Sequence, residues 1–438
     1  MGWFNLTQGE YAYNIATELF PICRSITGNG VRQTLKVLKR EVPELTINEV
    51  PSGTQVFDWT VPKEWNIKDA YVKDKNGNKI IDFNETNLHV MGYSTPIHKS
   101  VSLDELLEII YTEPNQPDVI PYVTSYYKER YGFCISENQK QEMLKTYKEN
   151  DSFEIFIDST LENGYLTYGE LVIPATNKQN DKEILISTYI CHPSLANNEL
   201  SGPCVSIALA KWVKSLPERK YSYRFVFTPE TIGSITYLSK NYKELQKKVI
   251  AGFNLTCVGD DRTYSYLKSA YGNTLADKVL QNVLHFHYPD YKTYPFLQAG
   301  SDERRYCAPG IDLPVCCFCR SLYGMYPEYH TSADNLSLIS PTGLQGSIDV
   351  MEKCIIALEQ NEKYKMTCLC EPQLGKRDMY PTVSRKGQYD EIFKLVNMIS
   401  YFDGKNDFID VSNIIGVPVE EMIENLKKLQ KEKLVEII

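Results

Sequence analysis

The sequence predicts an α/β protein: a mixed, mainly parallel sheet between helices, with an inserted β-rich domain and a C-terminal winged helix-turn-helix. Three observations predict it. Strand-like and helix-like stretches alternate from Phe153 to Gln360, the pattern of a sheet with helical crossovers. From Leu45 to Phe133 the chain changes to short alternating runs joined by turn residues. Beyond Tyr364 a Pro- and Gly-bearing stretch leads into three helical patterns. The predicted division is 1–44 with 141–365 for the α/β domain, 45–140 for the insertion, and 366–438 for the linker and winged helix-turn-helix.

Taken in order, Glu10 to Val42 carries apolar residues at helical spacing (Tyr11, Ile15, Leu19, then Val31, Leu35, Leu38). Pro21 and the turn Thr27-Gly28-Asn29-Gly30 split this stretch into two helices, expected to pack on the α/β core. In the insertion, TINEV, TQVFDWTV and DAYVKD alternate with period two, and Lys75-Asn76-Gly77-Asn78 reads as a hairpin turn. A helix is expected from Leu103 to Tyr111. Core strands are expected at EIFIDST, GELVIP, EILISTYI, YRFVFTP, VIAGFNLTCV and LPVCCFC. Helices are expected at Cys204 to Leu216, Ile235 to Leu245, Leu275 to Phe286 and Leu344 to Leu358. Near the C-terminus, helices at Tyr389 to Ser400, Val411 to Ile415 and Val419 to Lys433 surround Gly416-Val417-Pro418, with Leu434 to Ile438 as a wing strand.

Composition narrows the function classes. The net charge of −9 lacks the basic footprint of a general nucleic-acid binder. No segment is apolar for long enough to span a bilayer. The start, MGWFNLTQGEY, lacks the basic and apolar regions of a signal peptide, and Leu6 breaks the myristoylation pattern. Of the 12 cysteines, Cys316, Cys317 and Cys319 lie together in an apolar strand, where they read as packing thiols. A reducing, cytoplasmic location is therefore expected.

The chemistry concentrates in Ile184 to Gly202, ILISTYICHPSLANNELSG. A buried strand ends at Cys191-His192-Pro193, a polar loop follows, and a helix begins after Ser201-Gly202. Loops at the carboxyl ends of strands are where open α/β sheets bind ligands. Glu230 follows the strand YRFVFTP in the same way; Asp302-Glu303 lie in GSDERRY, and His330 in PEYHTSADN. One sheet edge can thus gather His192, Glu230 and His330. Two neutral imidazoles, an oxygen ligand and an open position make a catalytic-type zinc site, and a free glutamate beside it can take a proton from water.

Four ordered blocks, CHPSLANNELSG, PETIGSITYL, GSDERRYCAPGIDLP and YHTSADN, resemble those of the co-catalytic zinc aminopeptidases of the bacterial leucyl-aminopeptidase type. The chain is more closely similar to bacterial polysaccharide biosynthesis proteins with an aminopeptidase-like domain, which join a zinc-exopeptidase-like core to a β-rich insertion and a winged helix. The resemblance implies His192 and His330 as metal ligands and Glu230 as general base. Asn198, Thr231 and Thr256 fall where the aminopeptidases carry aspartate, glutamate and aspartate ligands. A neutral Asn198 cannot offset the repulsion between two dications, so at most one zinc ion is expected, on His192, His330 and the Asn198 carbonyl. Glu199 is an alternative anionic ligand. Glu199, Asp302, Arg24, Arg320 and Tyr329 are candidates for substrate contact, the arginines because guanidinium binds carboxylate or phosphate bidentately.

The expected activity is metal-assisted hydrolysis of an amide bond in a small amino-bearing substrate or peptide, in surface-polysaccharide biosynthesis as the resemblance implies. The alternative is a catalytically impaired binding or regulatory protein that uses the inherited cleft. A sensor-type transcription factor is a third reading. The last predicted helix starts with Glu420, Glu421 and Glu424, which phosphate would repel, so the winged helix is expected to contact protein or a second copy rather than DNA.

Overall fold

The computed structural model describes residues 6–380 and 390–438. The first five residues of the N-terminal reading, Pro381 and Gly387 of the linker, and Tyr389 at the start of a predicted helix lie outside the described residues.

An eight-stranded sheet forms the centre. Its strands are β1 (Thr46–Pro51), β2 (Tyr165–Ile173), β3 (Glu183–Tyr189), β4 (Ser222–Thr228), β5 (Val249–Leu255), β6 (Ser265–Leu267), β7 (Lys292–Tyr294) and β8 (Val315–Cys319). Their spatial order is β1-β2-β4-β3-β5-β8-β6-β7. The inner four, β4, β3, β5 and β8, are parallel; β1, β2 and β6 join antiparallel to their inner neighbours.

Six helices cover the sheet: α1 (Gln8–Leu19), α2 (Asn29–Glu41), α3 (Ser201–Ser215), α4 (Ile232–Lys248), α5 (Leu275–His287) and α6 (Pro341–Gln360). Both faces of the inner strands are buried, which is why β3 reads as a continuous apolar run. Ile184 and Ile186 pack into one core with α1, α3 and α6, whereas Leu185 and Tyr189 pack into another with α4. Alternate residues of one strand thus serve opposite faces. The two N-terminal helices pack on this core as expected, and Gly9 N–H of α1 bonds to Gln345 of α6.

Two boundaries differ from the sequence reading. The strand Ser152–Glu162, assigned there to the α/β core, pairs with Glu64–Lys73 and Ile97–Ser102 in a separate four-stranded sheet. Conversely β1, assigned to the insertion, closes the edge of the central sheet. A period-two pattern shows that a segment is a strand with one buried face; it carries no information about which sheet supplies the partner. The hairpin at Lys75–Asn78 forms, with Gly77 at φ +83°. The helix expected from Leu103 stops at Leu107, and Ile110–Tyr111 form a short strand.

At the C-terminus, Lys363–Met366 is the middle strand of a three-stranded sheet with Asp403–Asp407 and Val435–Ile437. Helices Asp390–Tyr401, Phe408–Ile415 and Val419–Lys431 complete a winged helix. The module is docked on the core. Phe408, Met422 and Leu426 belong to the same apolar cluster as Val283 of α5 and Ile355 of α6. Lys278 of α5 bridges Asp407 and Asp410 at 2.6 and 2.7 Å. Among the described residues no helix is long and apolar enough to cross a membrane.

Candidate active site

The site is built at the carboxyl ends of β3 and β4. Beyond β3, Ile190 N–H still bonds to Thr228 O, so the chain leaves the sheet only at Cys191. His192 follows, buried. A π-type turn, Ala196–Leu200, then runs into α3; such turns recur at functional sites because they re-aim side chains. Gly202, in the first turn of α3, lies so close to Thr188 of β3 that a Cβ there would collide with the threonine hydroxyl. The glycine lets the helix start directly against the strand end and fixes where the intervening loop must fold.

His192 is oriented from two sides. Its backbone N–H and ring Nδ1 both meet Glu199 Oε2 at 2.9 Å. Glu199 in turn lies 3.3 Å from Arg24 Nε, with both side chains wholly inaccessible. A carboxylate on Nδ1 fixes the tautomer and leaves Nε2 as the free, more basic nitrogen. That Nε2 faces Glu230 Oε2 at 3.9 Å. Burial disfavours the His192 cation, but Glu199 and Glu230 outweigh it and hold the pKa above the ordinary histidine value.

Glu230 follows β4. Its N–H donates to Cys191 Sγ at 3.2 Å, and Ser301 Oγ donates to its Oε1 at 2.6 Å. With Oε1 so occupied, Oε2 is the oxygen turned to His192. The Glu230 side chain keeps 26% of its exposure while Glu199 keeps none, so Glu230 is the carboxylate a ligand can meet. Burial pushes its pKa up.

His330 completes the group. Its ring centroid lies 5.3 Å from that of His192, and Tyr329 stacks on it at 3.9 Å. Its Nε2 is buried without a hydrogen-bond partner. Burial, and then the charge of His192, push its pKa down to about 3, so it is neutral. Asp334, four residues on, accepts the backbone N–H groups of Ala196, Asn197 and Asn198 at 3.0, 2.6 and 3.0 Å. One carboxylate thereby ties the His330 loop to the His192 loop. Burial raises its pKa to about 6.

The three positions where the resemblance expects carboxylate ligands are neutral and engaged with one another or with the scaffold. Asn198 Nδ2 donates to Tyr189 OH at 2.6 Å, and Tyr189 OH also pairs with the Thr256 hydroxyl. Thr231 adopts φ +63° and accepts from Arg305 at 3.0 Å. The Asn198 Oδ1 atom is buried without a partner. His330 Nε2 and Asn198 Oδ1 are each buried acceptors without a partner, and with Nε2 of His192 they are donors of the kind one cation takes. The Tyr189–Thr256–Asn198 network holds no charge and does not suit a second.

The side chains of Cys191, His192 and Glu199 also lie within 4.8 Å of one another, a possible metal-holding group. Its chemistry argues for support rather than ligation. Glu199 faces the Arg24 cation, and burial, followed by the charges of Glu199 and Glu230, holds the Cys191 thiol well above its ordinary pKa. A thiol binds metal as thiolate.

Several predicted substrate contacts are corrected. Arg24 is buried and donates to the carbonyls of His192, Pro193 and Leu19 at 2.8, 3.0 and 2.8 Å; it braces the loop and does not face the cleft. Arg320 bonds to Thr263 O and Gly343 O and lies over the Tyr264 ring, also as a brace. Glu199 is engaged with the His192 ring and Arg24, which leaves it no role as a substrate contact. Asp302 holds Thr231 N–H and Ser234 Oγ at 2.8 and 2.7 Å, beneath the Glu230 turn. Tyr329 lies at the site, against His330. Sequence reasoning missed Tyr122, Ser301 and Asp334. Asp334 stood in the quoted block YHTSADN, but a side chain that bonds backbone has no motif of its own.

With this geometry in view, the likeness to known proteins is specific. Residues 13–361 match a family model described as a domain of unknown function (DUF4910), and residues 362–437 match a winged helix-turn-helix model. A Clostridium acetobutylicum protein named as a polysaccharide biosynthesis protein with aminopeptidase-like domain is 45% identical over 99% of this chain and 97% of its own. A crystal structure from the same species, described as a peptidase, superposes with a TM-score of 0.90 at 44% identity, covering 98% of this chain and 96% of that one. The zinc aminopeptidase BSAP from Bacillus subtilis superposes with a TM-score of 0.57 at 12% identity, covering 80% and 94%, and shares the fold. The chain belongs to the DUF4910 family, whose aminopeptidase-like α/β core is joined here to a winged helix-turn-helix.

Proposed function

We propose that the protein is a single-metal amidohydrolase that acts on a small amino-bearing substrate. One divalent ion, zinc by its preference for imidazole and oxygen donors, would be held by His192 Nε2 and His330 Nε2, with Asn198 Oδ1 as a neutral third donor. When bound, such an ion supplies Lewis-acid polarisation of an amide carbonyl and acidifies water. The chain's own residues do the rest. Glu199 holds the His192 tautomer. Ser301 occupies Glu230 Oε1 and leaves Oε2 free to take a proton, which Glu230 can pass to the departing amine. The raised pKa of Glu230 brings it nearer to neutral pH, where an acid–base group works best.

The observation that carries this reading is the Glu199–His192–Glu230 alignment, with Nδ1 fixed at 2.9 Å and Nε2 turned to a partly open carboxylate. The name of the Clostridium acetobutylicum relative supports a role in polysaccharide biosynthesis, on an amino or acylamino sugar. The free thiols support a cytoplasmic location. The uncharged Tyr189–Thr256–Asn198 network favours a second reading, a binding or regulatory protein that keeps the cleft and has lost turnover.

Purified protein loaded with zinc is expected to release the amine from aminoacyl or acylamino-sugar substrates. Glu230→Gln should lower kcat by about 10²–10⁴-fold while zinc stays bound. No turnover by the loaded wild type, or an unchanged rate in Glu230→Gln, defeats the hydrolase reading. Retained ligand binding without turnover leaves the binding reading standing.

A further inference from the structure

We propose that Tyr122, supplied by the inserted region, is a positioning residue that sets the two imidazoles against each other. The segment 120–122 runs antiparallel to the loop that carries His330. Ser332 N–H donates to Ile120 O at 2.8 Å, Ile120 N–H donates to Ser332 Oγ at 3.0 Å, and Tyr122 N–H donates to His330 O at 2.8 Å. Pro121 and Thr331 form the bridge between them, and Gln116 adds a bond to Pro327 O at 2.9 Å. This clasp grips His330 where its backbone is strained, at φ +56°. A non-glycine residue there costs free energy unless its surroundings impose the conformation.

The Tyr122 ring does the second part. It meets the His192 ring edge-on at 5.1 Å and the His330 ring edge-on at 5.0 Å. Tyr329 stacks on His330 at 12° between ring planes. His330 is therefore held by Tyr122 and Tyr329, and Tyr122 alone of the two also touches His192 in this way. The Tyr122 hydroxyl points to another hydroxyl of the same segment, Tyr126 OH at 2.6 Å, which anchors the ring from its far end. No hydrogen bond joins Tyr122 to either imidazole, so its action is by shape: an aromatic edge that fills the angle between two rings. The inserted region is then a structural part of the site and not only an appendage to the core.

Only the metal arm of the test rests on the single-ion reading. Tyr122→Ala and Tyr122→Leu remove the ring, the second keeping bulk so that the fold survives; Tyr122→Phe keeps the ring and removes the hydroxyl. Zinc affinity, by competition with a chelating dye, should fall by about tenfold in Ala and Leu, the loss typical of removing an outer partner of a ligand, and return to within about twofold of wild type in Phe. In metal-free protein, the imidazole carbon and nitrogen NMR signals of both His192 and His330 should move and broaden in Ala and Leu, and keep their wild-type positions in Phe. Wild-type signals in folded Tyr122→Leu would overturn the proposal. If the wild type binds no zinc, the single-ion reading fails, and the metal-free NMR comparison still decides the role of Tyr122.

Discussion

Asp302 lies wholly buried beneath the Glu230 turn, with Oδ1 bonded to Thr231 N–H and Ser234 Oγ and Oδ2 without a partner. Burial, reinforced by the charge of Glu230, raises its pKa from 3.8 to about 7. Between those values the folded chain holds a proton that the unfolded chain has released, so this group adds stability as pH falls from about 7 towards 4 and withdraws it as pH rises. Asp302→Asn keeps an acceptor for both donors and removes the titration. Thermal unfolding followed between pH 8 and pH 4 should show a smaller gain in Tm on acidification in the variant than in the wild type. Parallel curves would show that the Asp302 proton is not linked to folding. The same residue-level logic separates the two glutamates near His192. Both stand in the sequence near strand ends, but Glu199 faces the buried Arg24 and fixes a ring, while Glu230 keeps an accessible oxygen.

The loops that bring His192 and His330 together are long in sequence separation and short in space, and Asp334 is their joint. Its carboxylate accepts three backbone N–H groups of the π-type turn and the Tyr326 hydroxyl at 3.1 Å. Asp334→Ala removes the acceptor of the Asn197 and Asn198 N–H groups, while Ala196 N–H keeps the Asp334 carbonyl, and the two unpaired buried donors cost on the order of 3 kcal/mol. Urea unfolding measures the loss, and hydrogen exchange at residues 196–198 should quicken with it. A cost below about 1 kcal/mol, with unchanged exchange, would show that the joint lies elsewhere. Element by element, the sequence marked the inner strands well, because β3, β4, β5 and β8 are buried on both faces and read as apolar runs. It marked the edges poorly. Ser152–Glu162 and β1 both alternate, and nothing in an alternating run tells which of two nearby sheets will accept it.

Across the whole molecule, the winged helix packs against the core. Helix Val419–Lys431 buries Val419, Met422, Leu426 and Leu429 in the common core, and Glu420 at its start faces His287 of α5. In DNA-reading winged helices the start of this helix contacts bases; here it meets protein and carries negative charge. Full-length protein should leave a random-sequence duplex unshifted at low salt, where nonspecific binding is strongest. A shift that weakens with added salt would restore the DNA-binding reading. The candidate site is likewise a property of the whole. His192 and Glu230 follow strands of the central sheet, while the clasp on His330 comes from segment 116–122.

The sequence by itself determined the α/β class and the winged helix, and it pointed to three residues that lie together in the candidate site, because strand burial, helix periodicity and strand-end position are local patterns. The tertiary structure decided what each charged or polar side chain faces. Arg24, Glu199 and Arg320 look alike as candidate anchors in the sequence, and all three prove to be braces. The physical reason is that a charge acts through its nearest neighbours in space, and for Arg24 those are carbonyls of a loop 168 positions further along the chain.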